Sequence, residues 1–124
     1  MPEAAVADLL TRINRVADPA NMTDLEKKHD PVITCPDVVK AGQHFDCTVH
    51  VGKHMAHPNE PAHHIEFVDL YLDDIYLCHL DLAARKSDPK VTFSIMLPMS
   101  GTLKAYESCN IHGVWISEKP MKVS

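Results

Sequence analysis

The chain contains no Cys-x-x-Cys pair, which excludes rubredoxin-type and zinc-ribbon sites. No stretch approaches the roughly 18 apolar residues that a membrane span needs, so no membrane association is expected. The start, Met1-Pro2-Glu3, has neither a basic n-region nor a continuous apolar segment behind it, so no secretory signal is read. The expected location is therefore cytoplasmic, where cysteines are more often thiols or metal ligands than bridges. Basic excess is also missing. Lys and Arg number 12 against 17 Asp and Glu, a formal charge of −5, which argues against a non-specific phosphate-backbone binder and against a nucleic-acid partner.

What is present is one domain's worth of chain, 124 residues, with 45% hydrophobic and 23% charged content. That length buries a core without disulfide support. Two figures stand apart: 9 His and 4 Cys, the latter at Cys35, Cys47, Cys78 and Cys109.

Val6, Leu9, Leu10, Ile13 and Val16 recur at helical spacing, which predicts an amphipathic helix over residues 3 to 16, with Pro2 in its first turn and a linker over 18 to 22. Its apolar stripe must lie on the domain or on another subunit. Thr23-Asp24-Leu25-Glu26 matches a capping box and predicts a short helical turn into Lys27-Lys28-His29, stopped by Pro31. From residue 32 the period becomes two. His44 to Val51 alternates, with Phe45, Cys47, Val49 and Val51 on one face. Strands are predicted over 65–72 and 75–82 around a turn at Asp73-Asp74, and apolar residues on both their faces suggest central or subunit-covered positions. Val91 to Leu97, 102–108 and Gly113 to Ser117 follow as further strands. Strands joined by short turns, without helices between them, indicate an all-β antiparallel sandwich or barrel. Residues 53 to 63 fit neither period and form a Pro- and His-rich loop, the kind of irregular segment that tends to be functional.

Three places concentrate metal-ligating side chains: His29 after Lys27-Lys28; His54, His57, His63 and His64 in the loop; and Cys109-Asn110-Ile111-His112-Gly113. A Cys-x-x-His pair can bring both side chains to one metal if the backbone turns between them, as Gly113 permits. Several imidazoles with one thiolate differ from cysteine-rich structural zinc. The residues by themselves describe a redox metal site with an open face, and leave the metal undecided among iron, copper and zinc.

Taken together and in order, Glu26-Lys27-Lys28-His29-Asp30-Pro31-Val32-Ile33, Gly52-Lys53, His57-Pro58-Asn59, His63-His64-Ile65 and Cys109-Asn110-Ile111-His112-Gly113 resemble the superoxide reductase family. The similarity is to the one-iron neelaredoxin form and to the catalytic domain of desulfoferrodoxin, over about residues 25 to 118. The resemblance implies an immunoglobulin-like antiparallel β-sandwich, placed over 23–124; the N-terminal helical extension and linker over 1–22, read from apolar spacing, lie outside it. It implies mononuclear non-haem iron (Fe2+/Fe3+) held by His29, His57, His63 and His112 in the equator and by Cys109 on the axis. It also implies Lys28 and Glu26 as the catalytic loop residues, although the family's glutamate usually stands where this chain has Lys27. Lys27 and Lys53 are further cations that could act near the site. The implied reaction reduces superoxide to hydrogen peroxide by one electron, with donation from Cys109 favouring peroxide release. Rubredoxin or a similar protein would return the electron, and a homo-oligomer, dimer or tetramer, is implied.

The ordinary reading of the remaining residues is structural. His44 and His50 fall on a polar strand face, His64 and His79 are core or supporting histidines, and Cys35, Cys47 and Cys78 are small buried hydrophobes. Two other functions remain: a non-catalytic electron-transfer or metal-binding sandwich, and an adhesion or sulfur-carrier module with incidental histidines.

Overall fold

Period-two alternation builds nine strands among the residues, 8–124, that the computed structural model describes. They are β1 (Ile13–Asn14), β2 (Pro31–Thr34), β3 (Val38–Val39), β4 (Phe45–Val51), β5 (Ile65–Leu72), β6 (Ile75–Asp81), β7 (Lys90–Ile95), β8 (Gly101–Cys109) and β9 (Gly113–Val123). One sheet runs β1-β9-β8-β5-β6, with β3 also on β9; the other runs β2-β4-β7. All pairings are antiparallel except β1 and β3, which lie parallel to β9. The two sheets face each other in the expected sandwich.

The core is the set of inward positions from both sheets. Cys47, Val49 and Val51 of β4 meet Val68, Leu70 and Leu72 of β5 and Leu103 and Ala105 of β8, all nearly or fully buried. Burial of each Leu or Val there contributes roughly 1.5–3 kcal/mol over exposure. The alternation read over 45–51 is the alternation observed, and 65–72 appears with the expected bounds. The last strand is longer than expected, and β2 and β3 were not foreseen as separate strands.

The N-terminal helix is the main correction. Residues 1–7, which include Val6, lie outside the described residues; Asp8 and Leu9 are helical, and the chain then turns and enters β1. Leu9 is buried while Leu10 and Ile13 are exposed, so the predicted stripe does not share one face. The buried polar side chain in that segment is Asn14, whose Nδ2 donates to the carbonyls of Leu9 at 2.9 Å and Val114 at 3.0 Å. That carboxamide ends the helix by taking the Leu9 carbonyl, which a continuing helix would give to a backbone amide. The position of β6 also differs from one expectation: β5 is central, but β6 is an edge strand with Ile75, Tyr76 and Leu80 exposed.

Gly113, at φ +79°, turns β8 into β9, and a Cβ there would meet the Leu9 carbonyl oxygen at 2.3 Å. Gly113→Ala is expected to destabilise the fold by about 1–3 kcal/mol, from the strained φ before any clash is counted. A denaturant midpoint equal to that of the parent protein would contradict this account of the turn.

Candidate metal centre

Three segments meet at one end of the sandwich. The first is a six-residue helix, α1 (Asp24–His29), which begins in a complete capping box. The Thr23 hydroxyl accepts from the Glu26 amide at 3.1 Å, and Glu26 Oε1 accepts from the Thr23 amide at 2.8 Å. Asp24 and Glu26 in its first turn and Lys27, Lys28 and His29 in its last complement the helix dipole. His29 closes the helix with its ring buried, and Nδ1–H donates to the Leu25 carbonyl at 2.7 Å.

The second segment is the loop between β4 and β5. It leaves β4 at Gly52, where a Cβ would stand 2.8 Å from the His57 amide nitrogen. His57 is buried, and its Nδ1–H donates to the Pro58 carbonyl at 2.6 Å. Asn59 pins the loop by donating to the Ser87 carbonyl and accepting from the Arg85 amide. Glu60 and His63 exchange backbone hydrogen bonds, both at 2.9 Å.

The third is the turn from β8 to β9. Cys109 is buried at the end of β8, and its Sγ lies 3.7 Å from His112 Nδ1. Asn110 ties this turn to the loop: its Oδ1 accepts from the His64 amide at 2.9 Å and its Nδ2 donates to the Ala62 carbonyl at 3.0 Å.

The nitrogen and sulfur atoms of His29, His57, His63 and Cys109 all lie within 4.8 Å of one another. His112 closes the ring. Centroid separations run 4.7 Å from His29 to His57, 4.7 Å from His57 to His63, 5.0 Å from His63 to His112 and 4.9 Å from His112 to His29. Each ring stands steeply to the next, at 65° to 84°.

With Nδ1–H engaged on carbonyls, His29 and His57 turn Nε2 into the space between the rings. The Nε2 atoms of His29, His57 and His63 are buried without a hydrogen-bond partner. Three orphaned buried acceptors in one place are costly unless a cation binds them. Four imidazoles and one thiol suit a borderline transition metal such as iron.

Burial pushes the four imidazoles below the ordinary histidine range, to about 3 for His29 and about 4 for His57. The positive charge of Lys28 adds to this at His57, His63 and His112, which puts that ammonium close to the cluster. Burial raises the Cys109 thiol, so a metal must displace its proton.

Glu26, expected beside the metal, is not brought to the ring. Its Oε2 accepts from the Ala17 amide at 2.9 Å while Oε1 accepts from Thr23, so both oxygens serve backbone amides. Burial works to raise this carboxyl, and the Thr23 and Ala17 amides outweigh it and hold it below its usual range. A carboxylate at the third helical position reaches back to the cap, which accounts for the difference.

His54 pairs with Asp30 at 3.2 Å, and His79 sits between Asp69 and Asp81, so neither joins the ring. Trp115, unmentioned by the sequence reading, stacks on His29 at 5.1 Å and 22°, and its Nε1–H donates to the His112 carbonyl at 3.1 Å. Its signal was available: it is the one tryptophan in the chain and follows Gly113 by two residues. Glu107 was missed as well. It is fully buried, and burial, then the Asp30 charge, raises its carboxyl well above the usual range.

The desulfoferrodoxin family model matches residues 21–118, which contain every member of this cluster. The chain belongs to the desulfoferrodoxin family. Among curated relatives, the superoxide reductase of Pyrococcus abyssi is 35% identical over 101 residues, covering 74% of this chain and 85% of that one. Neelaredoxin of Megalodesulfovibrio gigas is 33% identical over 111 residues, covering 75% and 85%. Among solved structures, the superoxide reductase (neelaredoxin) from Ignicoccus hospitalis superposes with a TM-score of 0.78 at 34% identity, covering 95% of this chain and 98% of that one. In the family's terms, the His/Cys cluster is an iron-site arrangement on an immunoglobulin-like sandwich.

The buried imidazoles set a pH dependence for the metal-free protein. Below pH 6.5 the unfolded chain protonates His29 and His57, while the folded chain resists until about 3 and about 4. Their contribution is therefore complete above pH 6.5 and lost progressively as pH falls through that window. Urea midpoints of metal-free protein should drop between neutral pH and about pH 5. A flat profile would mean these rings are not buried in neutral form.

Proposed function

We propose that this chain is a superoxide reductase, reducing superoxide to hydrogen peroxide by one electron at mononuclear non-haem iron. In this reading His29, His57, His63, His112 and Cys109 would hold the iron. The observation that carries it is the ring of four imidazoles beside a buried thiol, with three Nε2 atoms lacking any other partner. Iron held there would supply one-electron redox chemistry to superoxide.

The chain's own residues supply the rest. The Nδ1–H bonds of His29 and His57 to backbone carbonyls fix which nitrogen each ring presents. Trp115 packs against His29 and shields that side from water. The Cys109 sulfur is a strong electron donor once deprotonated, and the carboxyls of Glu107 and Glu66 bear on it from the protein side. Lys28 offers a cation to the anionic substrate, a local field that the overall −5 does not cancel. It also offers an N–H to water delivering protons to the product. Glu26 acts in this reading by holding α1, and with it Lys28 and His29, in place.

The electron is returned by an external donor, rubredoxin or a protein like it. Free thiols at all four cysteines suit a reducing compartment such as the cytoplasm. Exposed Ile75, Tyr76 and Leu80 on edge strand β6 support assembly into a homo-oligomer, dimer or tetramer.

Iron-loaded, reduced protein should consume superoxide, and metal-free protein should not. The oxidised form should show a visible thiolate-to-iron charge-transfer band that Cys109→Ser abolishes; survival of the band would remove Cys109 from the ligand set. Lys28→Ala should slow superoxide decay about tenfold at low ionic strength and less at high, following the loss of local attraction. An unchanged rate with unchanged salt dependence would leave Lys28 without this role.

A further inference from the structure

Two cysteines that the metal centre does not use lie side by side at the far end of β2 and β4. The antiparallel register pairs Pro31 with Val51, Val32 with His50, Ile33 with Val49 and Thr34 with Thr48, so the next residues in line are Cys35 and Cys47. Directly opposed residues in such a pair have Cα atoms about 4.5 or 5.5 Å apart, inside the roughly 4.4–6.8 Å that disulfides span. Both side chains face the space between the sheets, where Cys35 Sγ also lies 3.8 Å from the Met121 thioether. The two thiols differ in setting: Cys47 is fully buried and Cys35 only partly.

We propose that Cys35 and Cys47 are a peroxide-oxidised thiol pair, with Cys35 the attacking sulfur and Cys47 the resolving one. The oxidant is hydrogen peroxide, the product of the reaction proposed above, and in that respect the inference rests on that reading. The hydrogen bond from Cys47 holds the Cys35 thiol below its ordinary range, aided by the Lys119 ammonium, while the same contact and burial push Cys47 upward. The proton thus stays on the buried sulfur and the thiolate forms on the more accessible one.

In the first step the Cys35 thiolate attacks one peroxide oxygen, the O–O bond breaks, and hydroxide leaves with the electron pair, giving the sulfenic acid. In the second, the Cys47 sulfur attacks that of Cys35, the S–O bond breaks, and the leaving hydroxide takes the Cys47 proton and departs as water; the proton that Cys35 released on ionising neutralises the hydroxide of the first step. Two thiols and one peroxide become one disulfide and two waters, a balanced two-electron exchange. The bond would join β2 to β4 four residues from Val51, roughly 13 Å along the strand from the start of the ligand loop. Oxidation there leaves the metal ligands chemically untouched.

The test adds hydrogen peroxide in equimolar amount to iron-loaded protein in the absence of superoxide, followed by alkylation and peptide mapping. The expected result is loss of the Cys35 and Cys47 thiols as a linked peptide, with Cys78 still alkylated and a dithiol reductant restoring both. In Cys47→Ser protein, Cys35 should instead be trapped by dimedone as sulfenic acid. Cys35 and Cys47 both remaining alkylatable, or Cys35 passing to sulfinic acid with Cys47 unlinked, would overturn the proposal. Because peroxide is added directly, a linked pair in a protein that fails to consume superoxide would sink the functional reading alone. Turnover with an unlinked pair would sink this inference alone.

Discussion

The demand on which the structure turns is that several imidazole lone pairs face one another in a space that neither water nor protein donors reach. His29, His57 and His63 each bury an Nε2 with no partner, beside a buried Cys109 thiol. Left to relax, such rings would rotate toward solvent or toward any available donor. What prevents it is backbone hydrogen bonding from behind: Leu25 on His29, Pro58 on His57, and Asn110 spanning from the cysteine turn to the loop before β5. A site held open in this way is poised for a cation before one arrives, at a cost in stability that the apolar core has to offset.

That core lies on the other side of the same strands. β4, β5 and β8 carry fully buried aliphatic side chains between the sheets, and their ends carry the histidine loop or Cys109 of the cluster. Rigidity made by packing in the middle is transmitted to the rim along the strands, where catalytic geometry needs it. Charge is arranged with the same economy of distance. A chain of net charge −5 still sets a cation beside the cluster, because Lys28 is the residue before His29 and its charge lowers three of the imidazoles.

Glu26 shows how a shift of one residue changes a side chain's work. Two positions before His29 the chain has Lys27; three positions before, the carboxylate stands at the third residue of α1, from which it bonds the Thr23 and Ala17 amides. The β8–β9 turn receives Leu9 against Gly113 and Asn14 against Val114, so residues ahead of the matched family region brace the cysteine turn from outside. In this protein residues 9–17 act as a brace on both α1 and the β8–β9 turn.

Much of this was legible in one dimension. Alternation over 45–51 and 65–72 marked half-buried and buried strands because a strand's side-chain period is set by the backbone alone. Thr23 with Glu26 marked the start of α1 because both halves of a capping box are local. The histidines and cysteine of the cluster stood out because their types carry metal-binding chemistry wherever the chain places them. What no local pattern held was the closure of the ring, in which His29, the loop pair and the Cys109–His112 turn come from separate parts of the chain. From residue 10 on, the N-terminal stripe gives way to a turn and a short strand, because the Asn14 carboxamide takes the Leu9 carbonyl and the distant Val114 carbonyl while β1 pairs with β9. Residue identity and local period belong to the sequence by itself; which lone pairs face each other, which carboxylate is already engaged and which cysteines are neighbours are decided by non-local contacts that only the folded chain makes.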